Sequence, residues 1–165
     1  MTGRIFTADH HVYDLPPLLS WNVRHTGTVP CDSWSVTAVY QPEMLTVLRM
    51  AAGFAAIENE MTQLRGIVDE YTVELGSRGM TVTLSGRGYA ARLLDNESRP
   101  VTYEQVTLRE LIRCHAEPYG ISCGAAADLR PTVPYTAGAG ISQWKVISEF
   151  CRTYGCLLYT SPSPR

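Results

Sequence analysis

The segment "GIVDEYTVELGSRGMTVTLSG", residues 66–86, constrains the fold of this chain more than any other. Ile67, Tyr71, Val73 and Leu75 fall on one face, and Glu70, Thr72 and Glu74 on the other. Met80, Val82 and Leu84 then alternate with Thr81, Thr83 and Ser85. A period of two is that of a strand with one face buried and one wet. Gly76-Ser-Arg-Gly79 supplies the tight connection, because glycine adopts positive φ without a Cβ penalty. The segment therefore predicts an antiparallel hairpin and argues against a parallel βαβ layer, whose strands are apolar on both faces.

The residues before it extend the same pattern. Trp21, Val23 and His25 alternate with Asn22, Arg24 and Thr26 and predict a strand in which His25 lines a sheet face. Residues 30–33 turn the chain. "SWSVTAVY" sets Trp34, Val36, Ala38 and Tyr40 against Ser33, Ser35 and Thr37. Residues 42–50 predict a short helix opened by Pro42, with Leu45 and Leu48 sharing a face. Residues 51–66 read as two short strands joined at Glu58-Asn59-Glu60. Residues 1–18 carry little periodicity, and Pro16-Pro17 predict an extended N-terminal arm. Many short strands in close succession predict an antiparallel β-barrel over residues 19–95.

After residue 95 the character changes to a small helix–strand segment, so the expected class is α+β. In "TLRELIRCHAEPYG", Thr107 and Glu110 form a capping box, each side chain satisfying a free amide of the first turn. Gly120 ends this helix, after Pro118. In "SQWKVISEFCRTYG", Ser142 is the N-cap, Gly155 the terminator, and Trp144, Ile147, Cys151 and Tyr154 the apolar stripe. Setting Thr107 on Ser142 places Ile112 on Ile147, Tyr119 on Tyr154 and Gly120 on Gly155. That is the outline of a duplicated helix–strand unit, or of cap chemistry reached twice. "GAAADLRPTVPYTAGAG" between them reads as a loop. The expected organisation is an arm over 1–18, a barrel over 19–95, a partial α+β domain over 96–155, and a tail over 156–165.

Charge and cysteine content exclude several classes. A formal net charge of −2, with 18% charged residues, gives no basic excess for a nucleic-acid partner. No apolar run approaches the roughly 18 residues of a membrane span, and the start lacks the basic and apolar regions of a signal peptide. Five cysteines, an odd number with no C-x-x-C pair, predict reduced thiols. Cys114, His115 and Cys123 match no structural zinc spacing.

One motif points to chemistry. Gly86-Arg-Gly88-Tyr-Ala-Ala91 fits G-x-G-x-x-A, the outline of a dinucleotide-binding turn. Such a turn needs a buried parallel strand before it and a helix opening within it, with amides aimed at a pyrophosphate. Here a half-exposed hairpin arm precedes it, and Glu104, near the acidic offset, sits beside a helix cap. The expectation is that Gly86 and Gly88 turn the last strand out of the barrel. A short helical step follows over 89–94, its Leu93 and Leu94 packing on the barrel and Asp95-Asn96 closing it. His10 and His11 lie near the start, and His115 follows Cys114 on a helix, where neighbouring side chains diverge too far for a dyad. Asp69, Glu70, Asp95 and Glu97 form no recognisable carboxylate pair, and neither G-x-S-x-G nor H-E-x-x-H occurs. No catalytic, cofactor or metal residue is expected. The rival readings are a small nucleotide-binding or enzymatic domain using Gly86 to Ala91, and a tail-associated cell-wall hydrolase, whose acid–base set the sequence lacks.

Five segments in order resemble a known family: Trp21-Asn-Val-Arg24 with Cys31-Asp-x-Trp34, "GIVDEYTVEL", "TVTLSGRGYAARLLDNES", "VTLRELIRCHAEPYGI" and "SQWKVISEFCRTYGC". They look like the baseplate hub proteins of phages, of the phage Mu type and related to late-control D tail proteins. The resemblance runs from about residue 19 to 155. It implies a structural virion protein of the tail baseplate, assembled in the host cytoplasm. It implies a homotrimer whose barrels, two per chain, make a pseudo-sixfold ring joining the tail tube to the central spike. The implied partners are other hub protomers, the tube and spike proteins and the tape measure protein, with no cofactor, nucleic acid or membrane. Finally, "CLLYTSPSPR" resembles a translated sequencing adapter at the end of a metagenomic reading frame. On that reading residues 156–165 are not native and the natural protein continues beyond Gly155.

Overall fold

The computed structural model describes residues 1–27, 29–77, 79–122, 124 and 131–156. The chain divides into two compact units, Met1–Tyr89 and a second that starts at Ala90. The tail from 157 onward, Arg78 and Cys123 lie outside the described residues.

The first unit is one antiparallel sheet of seven strands: β1 (Thr2–Thr7), β2 (Val12–Asp14), β3 (Leu18–Arg24), β4 (Ser33–Val39), β5 (Ala51–Glu58), β6 (Met61–Gly76) and β7 (Gly79–Gly88). Their spatial order is β2-β1-β5-β6-β7-β4-β3. The expected β-barrel is not formed. The ladder ends at β2 on one side and β3 on the other, and these two do not pair. Leu15-Pro16-Pro17 joins them, and neither proline has an amide hydrogen with which to bond a ladder. Residues 1–18 are not a free arm: β1 pairs with β5 over Thr2–Thr7, and Ile5 is fully buried.

The core of this unit gathers Ile5, Trp34, Val36, Phe54, Leu64, Val82 and Leu84. Helix α1 (Met44–Arg49) adds Met44 and Leu48, an i,i+4 pair, while Leu45 is exposed. The hairpin arm is longer than its alternation implied, because β6 runs unbroken through 16 residues from the turn at Asn59 and Glu60. It stays in phase with the core through a β-bulge. Val68 pairs with Gly86, but Glu70 pairs with Ser85, leaving Asp69 as the extra residue. Before the bulge Leu64 and Val68 face the core; after it Tyr71 and Val73 do. Ile67, expected on the face of Tyr71, therefore lies on the opposite one. Gly76 pairs with Gly79 at the hairpin end, and Gly79 has φ 112°, which any other residue would adopt under strain.

A 3₁₀ turn (Tyr89–Ala91) leads into the second unit, which holds α2 (Arg92–Asp95), β8 (Val101–Tyr103), α3 (Leu108–His115), a second 3₁₀ turn (Glu117–Tyr119), β9 (Tyr135–Ala137) and α4 (Gln143–Thr153). Leu93 packs here, with Val106, Leu111, Val146, Ile147, Phe150 and Cys151, and not in the sheet core where it was expected. The buried side of α4 is centred on Val146, Ile147 and Phe150, with Trp144 and Tyr154 only half-buried. β8 and β9 pair antiparallel through Thr102 and Thr136. Three-residue strands carry no readable alternation, which is why "PYTA" looked like loop.

Candidate functional site

The glycine motif sits where a phosphate cannot. Gly86 and Gly88 lie inside β7, and neither has positive φ. Gly86 pairs with Trp34 of β4 on one side and Val68 of β6 on the other. The Gly88 amide donates to the Asp32 carbonyl at 2.7 Å. The preceding strand is antiparallel, and an added Cβ at Gly88 would meet the Asp32 side chain at 2.9 Å. The Gly88 amide is thus already paired, and Gly86 and Gly88 belong to a strand with no helix opening between them, so the dinucleotide reading fails on geometry.

What the glycines do instead is admit Trp34. A Cβ at Gly86 would strike the Ile67 carbonyl and approach the indole at 3.0 Å; one at Gly66 would lie 2.5 Å from the indole nitrogen. The indole thus rests where two strands have no side chains, donates from Nε1 to the Arg87 carbonyl at 3.3 Å, and is almost fully buried. The expectation that Gly86 and Gly88 turn the chain is replaced by close approach within a strand.

The opposite face of the same strands is polar. Asn22 pairs with Ser35, Ser35 with Ser85, and Ser85 with Glu70, so these four form a row across β3, β4, β7 and β6. Arg24 and Ser33 begin the next row. The Asp69 carboxylate at the bulge accepts two bonds from Arg87, 2.8 Å from Nε and 2.9 Å from Nη2. Between the rows lies a shallow depression of about 440 Å³.

His25 follows β3 and lines no sheet face. Its Nδ1 lies 3.2 Å from Asp32, which also accepts from the Thr26 amide at 2.8 Å and so ties the β3–β4 connection. His10 and His11 occupy the β1–β2 turn, with His10 at φ 68°.

The second unit is held by its caps. Thr107 accepts from the Glu110 amide at 3.2 Å while Glu110 accepts from the Thr107 amide at 2.8 Å. Ser142 accepts from the Lys145 amide at 3.2 Å. Gly120 and Gly155 both adopt the left-handed conformation, at φ 76° and 71°. The hydrogen bonds of the two helices also match. Leu111 and Val146 donate to the carbonyls of Thr107 and Ser142; Ile121 and Cys156 donate to those of Ala116 and Cys151.

His115, beside which Cys114 is exposed, is buried between α3 and α4. Its Nδ1 meets Gln143 Oε1 and its Nε2 lies 3.0 Å from the Tyr103 hydroxyl. Gln143 Nε2 donates onward to the Glu97 carbonyl at 2.9 Å and to the Tyr119 hydroxyl at 3.2 Å. Every polar atom of this network that the cap and stripe pattern left unnoticed is satisfied internally, which is a structural arrangement. Tyr135 is pushed up to about 12 by burial, and its hydroxyl donates to the Val146 carbonyl at 2.7 Å. Burial likewise pushes the Cys151 thiol up to about 11, far from a reactive thiolate. Among the described residues no three His, Cys, Asp or Glu side chains gather as a metal site. No helix of the described residues is long and apolar enough to cross a membrane.

No family model and no curated protein matches the sequence. Solved structures that share the fold include two tail proteins. One is the tail protein from Neisseria meningitidis MC58, at TM-score 0.70 and 13% identity, over 98% of this chain and 48% of that one. The other is the 43 kDa tail protein of prophage MuSo2 from Shewanella oneidensis, at TM-score 0.65 and 14% identity, over 94% of this chain and 50% of that one. The chain spans about half the length of the solved structures it matches.

Proposed function

We infer that this chain is a structural component of a phage tail, part of a baseplate hub protomer that joins the tail tube to the central spike within a trimeric ring. The observation that carries this reading is the likeness in fold to a tail protein over 98% of the chain, both units included. The five ordered segments between residues 19 and 155 support it independently, because they resemble hub proteins in sequence. The chemistry agrees: the glycine motif is filled by Trp34 and Asp32, and the buried histidine is spent on internal hydrogen bonds. The partners are other hub protomers, the tube and spike proteins and the tape measure protein, and the protein works in the virion after assembly in the host cytoplasm.

The oligomeric state of the complete product of the gene tests the hub assignment. Light scattering should return three copies, and negative-stain images should show a ring. A strict monomer at micromolar concentration contradicts it.

A further inference from the structure

The depression on the polar face of the sheet has a built cause. β4 and β7 contribute short side chains at its centre, Ser33, Ser35 and Ser85. β3 and β6 contribute long ones at its walls: Asn22 and Arg24 on one side, Asp69 and Glu70 on the other. Three interstrand spacings of about 4.8 Å separate the walls, so the backbones that carry them stand about 14 Å apart. The bulge at Asp69 sets the carboxylate wall, and Arg87 holds Asp69 in place through two bonds.

The lining selects among ligands. No apolar side chain but the buried Trp34 contributes, which excludes a lipid or an apolar peptide. Arg87 is offset by Asp69 and Arg24 by Glu70, so no net positive charge is left to hold a phosphate. Asp69 is neutralised by Arg87, leaving a single free carboxylate, too few for a divalent cation. Arg24 and Glu70 balance in charge, and Arg87 beneath the lining balances Asp69, so the site carries no net charge. What remains is a wall of donors, Asn22 and Arg24, facing an acceptor wall at Glu70, over a floor of hydroxyls that both donate and accept. That pattern matches a neutral polyhydroxylated ligand, whose hydroxyls also act both ways. Four adjacent ladder-bonded strands hold it, so little backbone ordering entropy is lost on binding.

The geometry points to a saccharide-binding site here, sized for one or two sugar rings, in which Glu70 accepts from a pair of ring hydroxyls and Asn22 and Arg24 donate. This site does not depend on the tail reading.

Saturation-transfer difference NMR on the full 165-residue chain tests it, with N,N′-diacetylchitobiose, cellobiose and maltotriose as probes. At least one should show transfer to its ring protons. Ser35→Tyr, which fills the floor, should abolish that transfer. Glu70→Gln should weaken binding about tenfold, the loss of one charge-assisted hydrogen bond. Glu70 is exposed, so its variant should keep the wild-type melting curve and reads out binding even where Ser35→Tyr disturbs the fold. Transfer to none of the three sugars overturns the proposal. So does transfer that survives Glu70→Gln unchanged, or tighter binding of the zwitterion glycylglycine.

Discussion

Trp34 and Phe54 stack face to face, with ring centroids 4.0 Å apart and planes 13° from parallel. The pair joins β4 to β5 although two strands of the sheet order, β6 and β7, separate them, so the sheet curls enough to bring the two rings together. Both rings are buried, and the glycines at 66 and 86 make the room.

Trp34→Ala should therefore cost about 3–5 kcal/mol of stability, because it removes a packed aromatic and leaves a cavity. Gly86→Ala should also destabilise, because its Cβ meets backbone and not a yielding side chain end. Thermal melts of both variants check this. A Gly86→Ala variant that melts with the wild type contradicts the close-approach account.

The two N-caps should behave alike. Thr107→Ala and Ser142→Ala should each cost about 0.5–2 kcal/mol. Thr107→Ala should cost more, since Thr107 belongs to a reciprocal capping box and is buried, whereas Ser142 makes one bond. Urea denaturation of the single variants checks the order.

Gln143→Leu keeps the volume but removes the acceptor for His115 and the donor for the Glu97 carbonyl. Leaving the buried His115 ring nitrogen without its partner should cost about 1–3 kcal/mol. Hydrogen exchange of the amides of α3 and α4 should then quicken together, because the network spans both helices. Faster exchange confined to α4 contradicts the network.

Stability should fall in alkaline solution. Burial raises Cys151 to about 11 and Tyr135 to about 12 in the same core, above the values the unfolded chain would show. The folded form thus holds these protons more tightly. Their contribution is fully present below the unfolded values of roughly 9 and 10, and is lost as pH rises through the folded ones. Melting midpoints should decline from about pH 9 upward, and Cys151→Ala should flatten the lower part of that decline.

Much of the sheet was legible because β4 and β7 alternate cleanly, and the glycines of the β6–β7 hairpin mark its ends. The helix caps were legible for the same reason: Thr107, Glu110 and Ser142 act on amides three residues away. What alternation cannot carry is a change of phase. The bulge at Asp69 moves the core face from even to odd positions, so Ile67 and Val68 exchange roles. Nor does alternation say whether a sheet closes. The seam between β2 and β3 rests on pairing partners, and the prolines there read equally well as an arm. The polar depression was hidden because its residues are neighbours only through register across four strands. Gln143 was hidden because a buried polar residue at a helix start breaks the apolar stripe.

The most direct test of the tail assignment is to locate the protein in a virion. Antibodies raised against this chain, applied to phage particles that carry its gene and seen by immunogold electron microscopy, should label the tail at the baseplate end. Gold confined to the capsid, or its absence from particles whose disrupted tails are also probed, would contradict the account.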